Sequence, residues 1–191
     1  MAEVEAAPKK IVVVGDSGCG KTCLLLKYFT KSFEAEYQTT VFERKLIEYK
    51  DEVTGNKILL DLWDTAGQED YVRIRALSYM ETDLVLVCFA LNSKESLENV
   101  EDKWINEIKH FCKDVPRILV GMKADLRMRT DPDLITEERA MRAAKEIEAK
   151  GYVECSSYTN ENVDEVFHVA VDVLTRRRRK KKEKERGCKI A

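Results

Sequence analysis

Several features that would assign this 191-residue chain to particular classes of protein are missing. No apolar run approaches the roughly 20 residues that a membrane-spanning helix needs. Residues 1–5 are acidic and lack the apolar stretch of a secretory signal, and Ala2 stands where N-terminal myristoylation needs glycine. The chain has only two histidines, His110 and His168, and we expect both to be surface or packing residues. With 44% apolar and 36% charged residues, the composition is typical of a soluble globular protein.

Cysteine usage argues against a zinc site and against a disulfide framework. The six cysteines form no C-x-x-C pair of the kind that structural zinc sites use. Most of them lie within apolar segments, so we expect reduced, buried thiols in a cytosolic protein. They are Cys19, Cys23, Cys88, Cys112, Cys155 and Cys188.

Positive charge is concentrated at the C-terminal end. Residues 176–186 contain nine lysines and arginines against two glutamates, a net charge of +7, and Lys189 adds one more. Because the whole chain has a net charge of −2, residues 1–175 carry −10. The length suits one domain with a buried core. We therefore predict a flexible N-terminus over residues 1–8, one domain over 9–175 and a polybasic tail over 176–191.

Short apolar runs alternate with amphipathic stretches along the chain. This alternation predicts an α/β fold with a doubly wound, six-stranded, mostly parallel sheet flanked by about five helices. Gly55 and Asn56 suggest a turn that joins an antiparallel pair, and Asn92 or Ser93 is placed to cap a helix. The predicted strands are 11–14, 41–49, 57–63, 84–91, 117–121 and 152–156. The predicted helices are 21–30, 94–112, 136–150 and 160–180, with a weaker one near 71–79.

The most informative motif is G-x-x-x-x-G-K-T at residues 15–22, between an apolar strand and an apolar helix. Glycines allow backbone N–H groups to curl around phosphate oxygens, and the helix N-terminus favours the same anion. Lys21 is expected to reach the β- and γ-phosphates, and the Thr22 hydroxyl to ligate Mg²⁺. The motif predicts a nucleoside triphosphate site.

A second glycine motif ends the third predicted strand, at Asp64-Thr65-Ala66-Gly67-Gln68. An aspartate at the end of a buried strand can hold Mg²⁺ through water. The Gly67 N–H is placed to contact a γ-phosphate, and Gln68 to orient an attacking water. The motif is weak alone and strong beside the phosphate loop.

Residues 64–71 resemble the second switch of the Ras superfamily. Trp63 before this run and residues 73–79 after it resemble the Rho branch, and residues 37–42 are similar to the matching first switch. The resemblance covers about residues 9–175 and continues into the tail. The chain is therefore identified as a Rho-type small GTPase, which implies a P-loop NTPase G domain.

The resemblance implies a role for each matching position. Gln68, Lys21 and Thr40 would be catalytic, and Mg²⁺ would be held by Thr22, Thr40 and, through water, Asp64. No arginine finger is apparent in the sequence, so a GTPase-activating protein would supply one. The nucleotide, GTP or GDP, would be bound by Gly15, Asp16, Ser17, Gly18, Cys19, Gly20, Lys21, Thr22, Cys23, Phe33, Tyr37, Thr40, Asp64, Gly67, Lys123, Asp125, Leu126, Ser156 and Ser157.

The choice of base depends on Met122-Lys123-Ala124-Asp125. A carboxylate accepts the N1–H and N2–H₂ donors of guanine together, and adenine offers no such pair. Asp125 therefore selects guanine, the Lys123 stem can cover the base, and residues 155–158 resemble the S-A-K loop of the family. An ATP-using P-loop enzyme such as a small kinase is the alternative, and Asp125, the D-T-A-G-Q motif and the absence of a lid signature oppose it.

Ser17 departs from the family pattern, in which this position is usually glycine. Its hydroxymethyl group is expected to crowd the catalytic glutamine and an arginine finger, which predicts slowed hydrolysis. A GTP-loaded binding module that hydrolyses GTP poorly therefore remains open as a second interpretation.

Other departures concern nucleotide affinity and partners. Met122 replaces a hydrogen-bonding residue, Thr39 replaces proline, and Ser157-Tyr158 replaces alanine-lysine, which together predict faster nucleotide exchange. The segment 126–151 is shorter than is usual for Rho proteins, and residues 127–135 are predicted to be a loop.

The chain ends Cys188-Lys189-Ile190-Ala191, which fits a C-a-a-X signal for prenylation of Cys188. The basic cluster at 176–182 would be the second membrane signal. The alternatives are a solvated, charged helix end, a nuclear-import patch and nucleic-acid binding, and the acidic body argues against nucleic-acid binding as the main role. The expected location is the cytoplasmic face of the plasma membrane with a cytosolic pool. By resemblance, a monomer would work with exchange factors, GTPase-activating proteins, a guanine nucleotide dissociation inhibitor, and effectors such as formins and protein kinases that act on actin.

Overall fold

The computed structural model describes residues 7–31, 42–50, 57–128 and 132–187. Its strands are β1 (Lys9–Gly15), β2 (Phe42–Lys50), β3 (Lys57–Thr65), β4 (Leu84–Ala90), β5 (Arg117–Met122) and β6 (Tyr152–Cys155). Its helices are α1 (Lys21–Thr30), α2 (Val72–Ser78), α3 (Lys94–Asn99, a π turn at Val100–Trp104, and Ile105–Cys112), α4 (Glu137–Glu146) and α5 (Val163–Gly187). Short 3₁₀ turns lie at Glu69–Tyr71 and Ala124–Met128.

The six strands form one sheet in the order β2-β3-β1-β4-β5-β6. Only β2 and β3 pair antiparallel, from Phe42 opposite Thr65 to Lys50 opposite Lys57. The other neighbours are parallel. The predicted doubly wound, mostly parallel sheet with five helices is therefore confirmed. The turn predicted at residues 55–56 lies outside the described residues.

The central strands of the sheet are continuously apolar and are buried, whereas the edge strand β2 is largely exposed. All seven residues of β4 are buried, as expected for a parallel strand covered by helices on each side. Ile11 and Val13 join the core that includes Leu24 of α1 and Phe167 of α5. The alternate positions of β1 join a second core around Trp104 of α3.

Helix ends differ from the predicted boundaries for local reasons. The Ser93 hydroxyl accepts a hydrogen bond from the Ser96 N–H at 3.1 Å, so Ser93 is the cap of α3. The Thr136 hydroxyl caps α4 in the same way, and α4 ends before Glu148, whose φ is +54°. Helix α5 begins at Val163 rather than 160 and continues to residue 187, past the predicted start of the tail.

The histidines and the described cysteines lie mostly where the sequence predicts them. His110 and His168 are exposed. The five described cysteines are free thiols, of which four are buried and Cys23 is half-buried. Within the described part of the chain, no helix is long and apolar enough to cross a membrane.

Candidate nucleotide site

The residues predicted to bind nucleotide come together at one edge of the sheet. The phosphate loop follows β1, Gly67 and Gln68 follow β3, Lys123 and Asp125 follow β5, and Ser156 follows β6. The carboxyl ends of parallel strands are where open α/β sheets bind ligands. Phe33, Tyr37, Thr40 and Cys188 lie outside the described residues.

The phosphate loop passes very close to β4, and this contact explains its first glycine. Gly15 has a φ of +144°, and a Cβ there would lie 2.2 Å from the Cys88 carbonyl oxygen. Only glycine fits such a position. The buried Lys21 Nζ donates to the carbonyl oxygens of Gly15 and Asp16, both at 2.8 Å. The loop thus holds an ammonium group at the N-terminus of α1, where anions bind.

Thr22 and Asp64 form the polar pair that the motifs predict for a metal. The Thr22 hydroxyl donates to Asp64 Oδ2 at 2.6 Å. Asp64 Oδ1 is buried and has no hydrogen-bond partner among the described residues. Burial raises the pKa of the Asp64 carboxyl to about 6, although Thr22 and Lys21 oppose the shift. Hard oxygen donors around an incompletely satisfied carboxylate suit Mg²⁺, so the residues present fit this ion.

The loop after β3 packs directly on the phosphate loop. A Cβ on Gly67 would lie 2.3 Å from the Ser17 backbone nitrogen, so this approach also requires glycine. Ser17, Gly67 and Gln68 line one groove of about 430 Å³ that continues to Asn99 of α3. The structure therefore brings the serine that departs from the family pattern next to the predicted catalytic glutamine.

Sequence reasoning included Arg75 of α2 only in the resemblance at residues 73–79 and missed that it holds this loop. The Arg75 guanidinium donates to the Ala66 carbonyl at 2.6 Å and the Gln68 carbonyl at 3.2 Å. It also forms a two-pronged ion pair with Glu107 of α3, at 2.6 and 2.9 Å. The Tyr79 hydroxyl donates to Glu107 at 2.7 Å. The signal that identifies this network is the burial of Arg75, and burial cannot be read from the sequence.

The residues predicted to select the base are connected across two strands. Ser156, which is fully buried, donates its hydroxyl hydrogen to Asp125 Oδ1 at 2.6 Å. The Thr159 N–H donates to the same Ser156 hydroxyl at 3.1 Å. The Leu126 N–H donates to the Lys123 carbonyl at 3.1 Å. The Ser156 hydroxyl therefore orients the Asp125 carboxylate. The sequence predicted Ser156 as a nucleotide-binding residue from its place in the chain, but it did not predict this contact.

Met122 fills the space beneath this site by packing. Its side chain is 1% exposed, and its Cε lies 3.2 Å from the position of a Cβ on Gly20. The Cys155 thiol contacts its sulfur at 3.7 Å.

A second connection that the sequence did not reveal is the ion pair of Arg127 with Glu154, at 2.7 and 2.9 Å.

Together, this sheet order, the phosphate loop after β1 and the Thr22–Asp64 pair define a P-loop nucleoside triphosphatase. Residues 10–176 match the model of the Ras family. The chain therefore belongs to the Ras family, and it is a small GTPase that binds GTP and GDP. Proteins of this family typically bind Mg²⁺ and generally interact with exchange factors, GTPase-activating proteins and effectors. Membership disfavours the ATP-using enzyme that the sequence left as an alternative.

Proposed function

We propose that this GTPase is a Rho-type GTP/GDP switch. The observation that carries the proposal is the environment of Trp63, which lies in β3 opposite Arg44 of β2. Lys10 Nζ lies 3.4 Å from the Trp63 ring centroid, and the Arg44 guanidinium carbon lies 5.3 Å from it. The half-buried indole is held between two cations beside the second switch, at the position where the sequence resembles the Rho branch.

The site supports hydrolysis by in-line attack of water on the γ-phosphate. Lys21 neutralises phosphate charge, and the phosphate-loop N–H groups stabilise the oxygens on which charge develops. Thr22 and Asp64 would hold Mg²⁺, which supplies further charge neutralisation when bound. Gln68 orients the water. The intrinsic rate expected without a GTPase-activating protein is on the order of 10⁻⁴ to 10⁻³ per second or less.

The switch would present an effector surface in the GTP state, through residues 33–42 and 64–79. Helix α2 supports this role because it exposes apolar side chains. Leu77 is 66% exposed and the adjoining Met80 is 67% exposed. We infer that exchange factors, a dissociation inhibitor and effectors such as formins and protein kinases bind here, with output to the actin cytoskeleton.

We further propose that the protein acts at the cytoplasmic face of the plasma membrane. Prenylation of Cys188 would provide one signal and the basic residues from 176 onward the second, since a single lipid chain binds membranes only marginally. The continuation of α5 to residue 187 supports the proposal because it carries the basic segment beyond the sheet.

A second candidate function is a GTP-loaded adaptor that hydrolyses poorly. The contact of Gly67 with the Ser17 backbone favours it, because this contact places Ser17 in the same groove as Gln68. Both candidates are tested by single-turnover hydrolysis of preloaded GTP·Mg²⁺, with wild type beside Ser17→Gly, each with and without a Rho-type GTPase-activating protein.

The outcomes separate the two candidates. Strong acceleration of the wild type by the activating protein supports the Rho-type switch. A wild type that ignores the activating protein, with the response restored in Ser17→Gly, supports the adaptor. If neither protein responds, the Rho-type assignment is wrong.

A further inference from the structure

The carboxylate of Asp16, the second residue of the phosphate loop, is bound by two side chains of α3. Asn99 Nδ2 donates to Asp16 Oδ2 at 2.7 Å, and Trp104 Nε1 donates to Asp16 Oδ1 at 2.8 Å. Hydrogen bonds to an ionised acceptor are the stronger kind. We call Asp16, Asn99 and Trp104 the Asp16 anchor.

Both donors reach one carboxylate because α3 contains a π turn. In a regular α-helix, residues five apart lie about 140° apart around the axis, at about 100° per residue. In the π turn Val100–Trp104, the Ile105 N–H donates to the Val100 carbonyl, five residues earlier. This wider turn brings residues five apart, such as Asn99 and Trp104, onto one side of the helix. The π turn therefore accounts for the geometry of the Asp16 anchor.

Trp104 connects the phosphate loop to the second-switch loop. Its side chain is completely buried, and the Arg75 guanidinium carbon lies 4.8 Å from its ring centroid. Arg75 in turn donates to the carbonyls of Ala66 and Gln68. The loops after β1 and β3, which both contribute to the nucleotide site, are thus attached to the same stretch of α3.

We propose that the Asp16 anchor is a positioning contact that fixes the phosphate-loop backbone on α3 and thereby slows nucleotide release. Asp16 acts through its two neighbours rather than through a side-chain contact with the nucleotide. The proposal uses the GDP binding of the family and does not depend on the Rho-type assignment.

The test is a charge-swap cycle measured by dissociation of a fluorescent GDP analogue in the presence of Mg²⁺. Asn99→Asp places a second carboxylate against that of Asp16 and removes the Nδ2 donor. It should raise the rate of GDP dissociation about 10- to 100-fold, the factor expected when hydrogen bonds to a charged group are lost. In the double variant Asp16→Asn/Asn99→Asp, the amide introduced at position 16 donates to the carboxylate introduced at position 99. It also still accepts from Trp104, so the rate should return to within about threefold of wild type.

Two further variants keep the test decisive. Asn106→Asp makes the same chemical change on α3, at an exposed residue that hydrogen-bonds only to the Asp102 carbonyl among the contacts described, and should leave the rate unchanged. Trp104→Phe keeps a ring beneath Arg75 but removes the Nε1 donor, and should raise the rate about tenfold. Near-ultraviolet circular dichroism of each nucleotide-free variant reports on the packing around the tryptophans independently of nucleotide.

Rescue by the double variant, with Asn106→Asp unchanged, supports the anchor. The proposal is overturned if Asn99→Asp and Trp104→Phe dissociate GDP within twofold of wild type. It is also overturned if the double variant is no slower than Asn99→Asp alone. If Asn99→Asp does not fold, the Trp104→Phe rate decides.

Discussion

Removing the Arg75 guanidinium should lower both the stability of this protein and its rate of GTP hydrolysis. A second substitution, at Glu107, should restore only the stability. Arg75 is 1% exposed, and the side chain of its partner Glu107 is 9% exposed. In Arg75→Met the aliphatic stem is retained, but Glu107 loses both guanidinium donors and, among the described residues, keeps only the Tyr79 hydroxyl. The Ala66 and Gln68 carbonyls lose their common donor in the same step.

The expected loss of stability follows from the burial of this ion pair. Breaking a buried pair costs about 3–5 kcal/mol because one charge remains buried without a partner. For a chain of 191 residues, that loss should lower the unfolding temperature by about 6–20 °C. The double variant Arg75→Met/Glu107→Gln removes the orphaned charge, so we expect it to recover more than half of the lost stability.

Catalysis should respond differently, because the double variant restores no donor to the Gln68 loop. We expect intrinsic single-turnover hydrolysis to stay reduced about tenfold in both variants, the effect of about one lost hydrogen bond on a positioned group. Unfolding is measured at fixed GDP and Mg²⁺ concentrations, since bound ligand shifts apparent stability. Arg73→Met, which removes an exposed arginine of the same helix, is the matched control.

Two results would refute this reasoning. One is an unfolding temperature of Arg75→Met equal to that of Arg73→Met, which would mean that the buried pair contributes nothing. The other is hydrolysis that recovers together with stability in the double variant, which would mean that Arg75 acts on catalysis only through folding.

Three further predictions concern single positions. In EDTA, Asp64→Asn should raise the unfolding temperature at pH 8, and the gain should shrink as pH falls through about 6. The pKa of the Asp64 carboxyl is higher in the folded protein than its unfolded value near 3.8, so protonation of Asp64 favours folding. A gain in unfolding temperature that does not depend on pH would contradict this explanation. Met122→Asn should slow GDP dissociation about fivefold by adding a hydrogen bond beneath the phosphate loop. Met122→Leu is the neutral control, and an unchanged dissociation rate in Met122→Asn would contradict the prediction. Cys188→Ser should move the protein from the membrane to the soluble fraction of cells, and persistent membrane association would exclude lipidation of Cys188 as its cause.

Much of the fold and the position of the site could be predicted from local patterns. The apolar run of β1, the motif after it and the helical spacing of α3 each lie within one short segment. Periodicity and motif spacing report such segments directly. Helix ends were less predictable. Helix α4 ends two residues before Glu148, which adopts a positive φ, and a backbone conformation of this kind leaves no clear mark in the sequence.

Contacts between distant segments could not be predicted in the same way. Asp16 is separated from Asn99 by 83 residues and from Trp104 by 88. The sequence predicts Asp16 as a nucleotide-binding residue of the phosphate loop and gives no sign of its contacts with α3. Its partners come within reach through the order of β1 and β4 in the sheet and through the π turn in α3.

The sequence by itself determined which chemical groups the candidate site contains: an ammonium group, a hydroxyl and two carboxylates at strand ends, in a spacing that predicts a guanine-nucleotide site. These features are set by neighbours within a few residues of one another. The tertiary structure alone decided how that chemistry is held, through Ser156 on Asp125, Arg75 on the Gln68 loop and α3 on Asp16. The physical reason is that burial and hydrogen-bond partners depend on packing between elements, and packing is established only when the whole sheet is assembled.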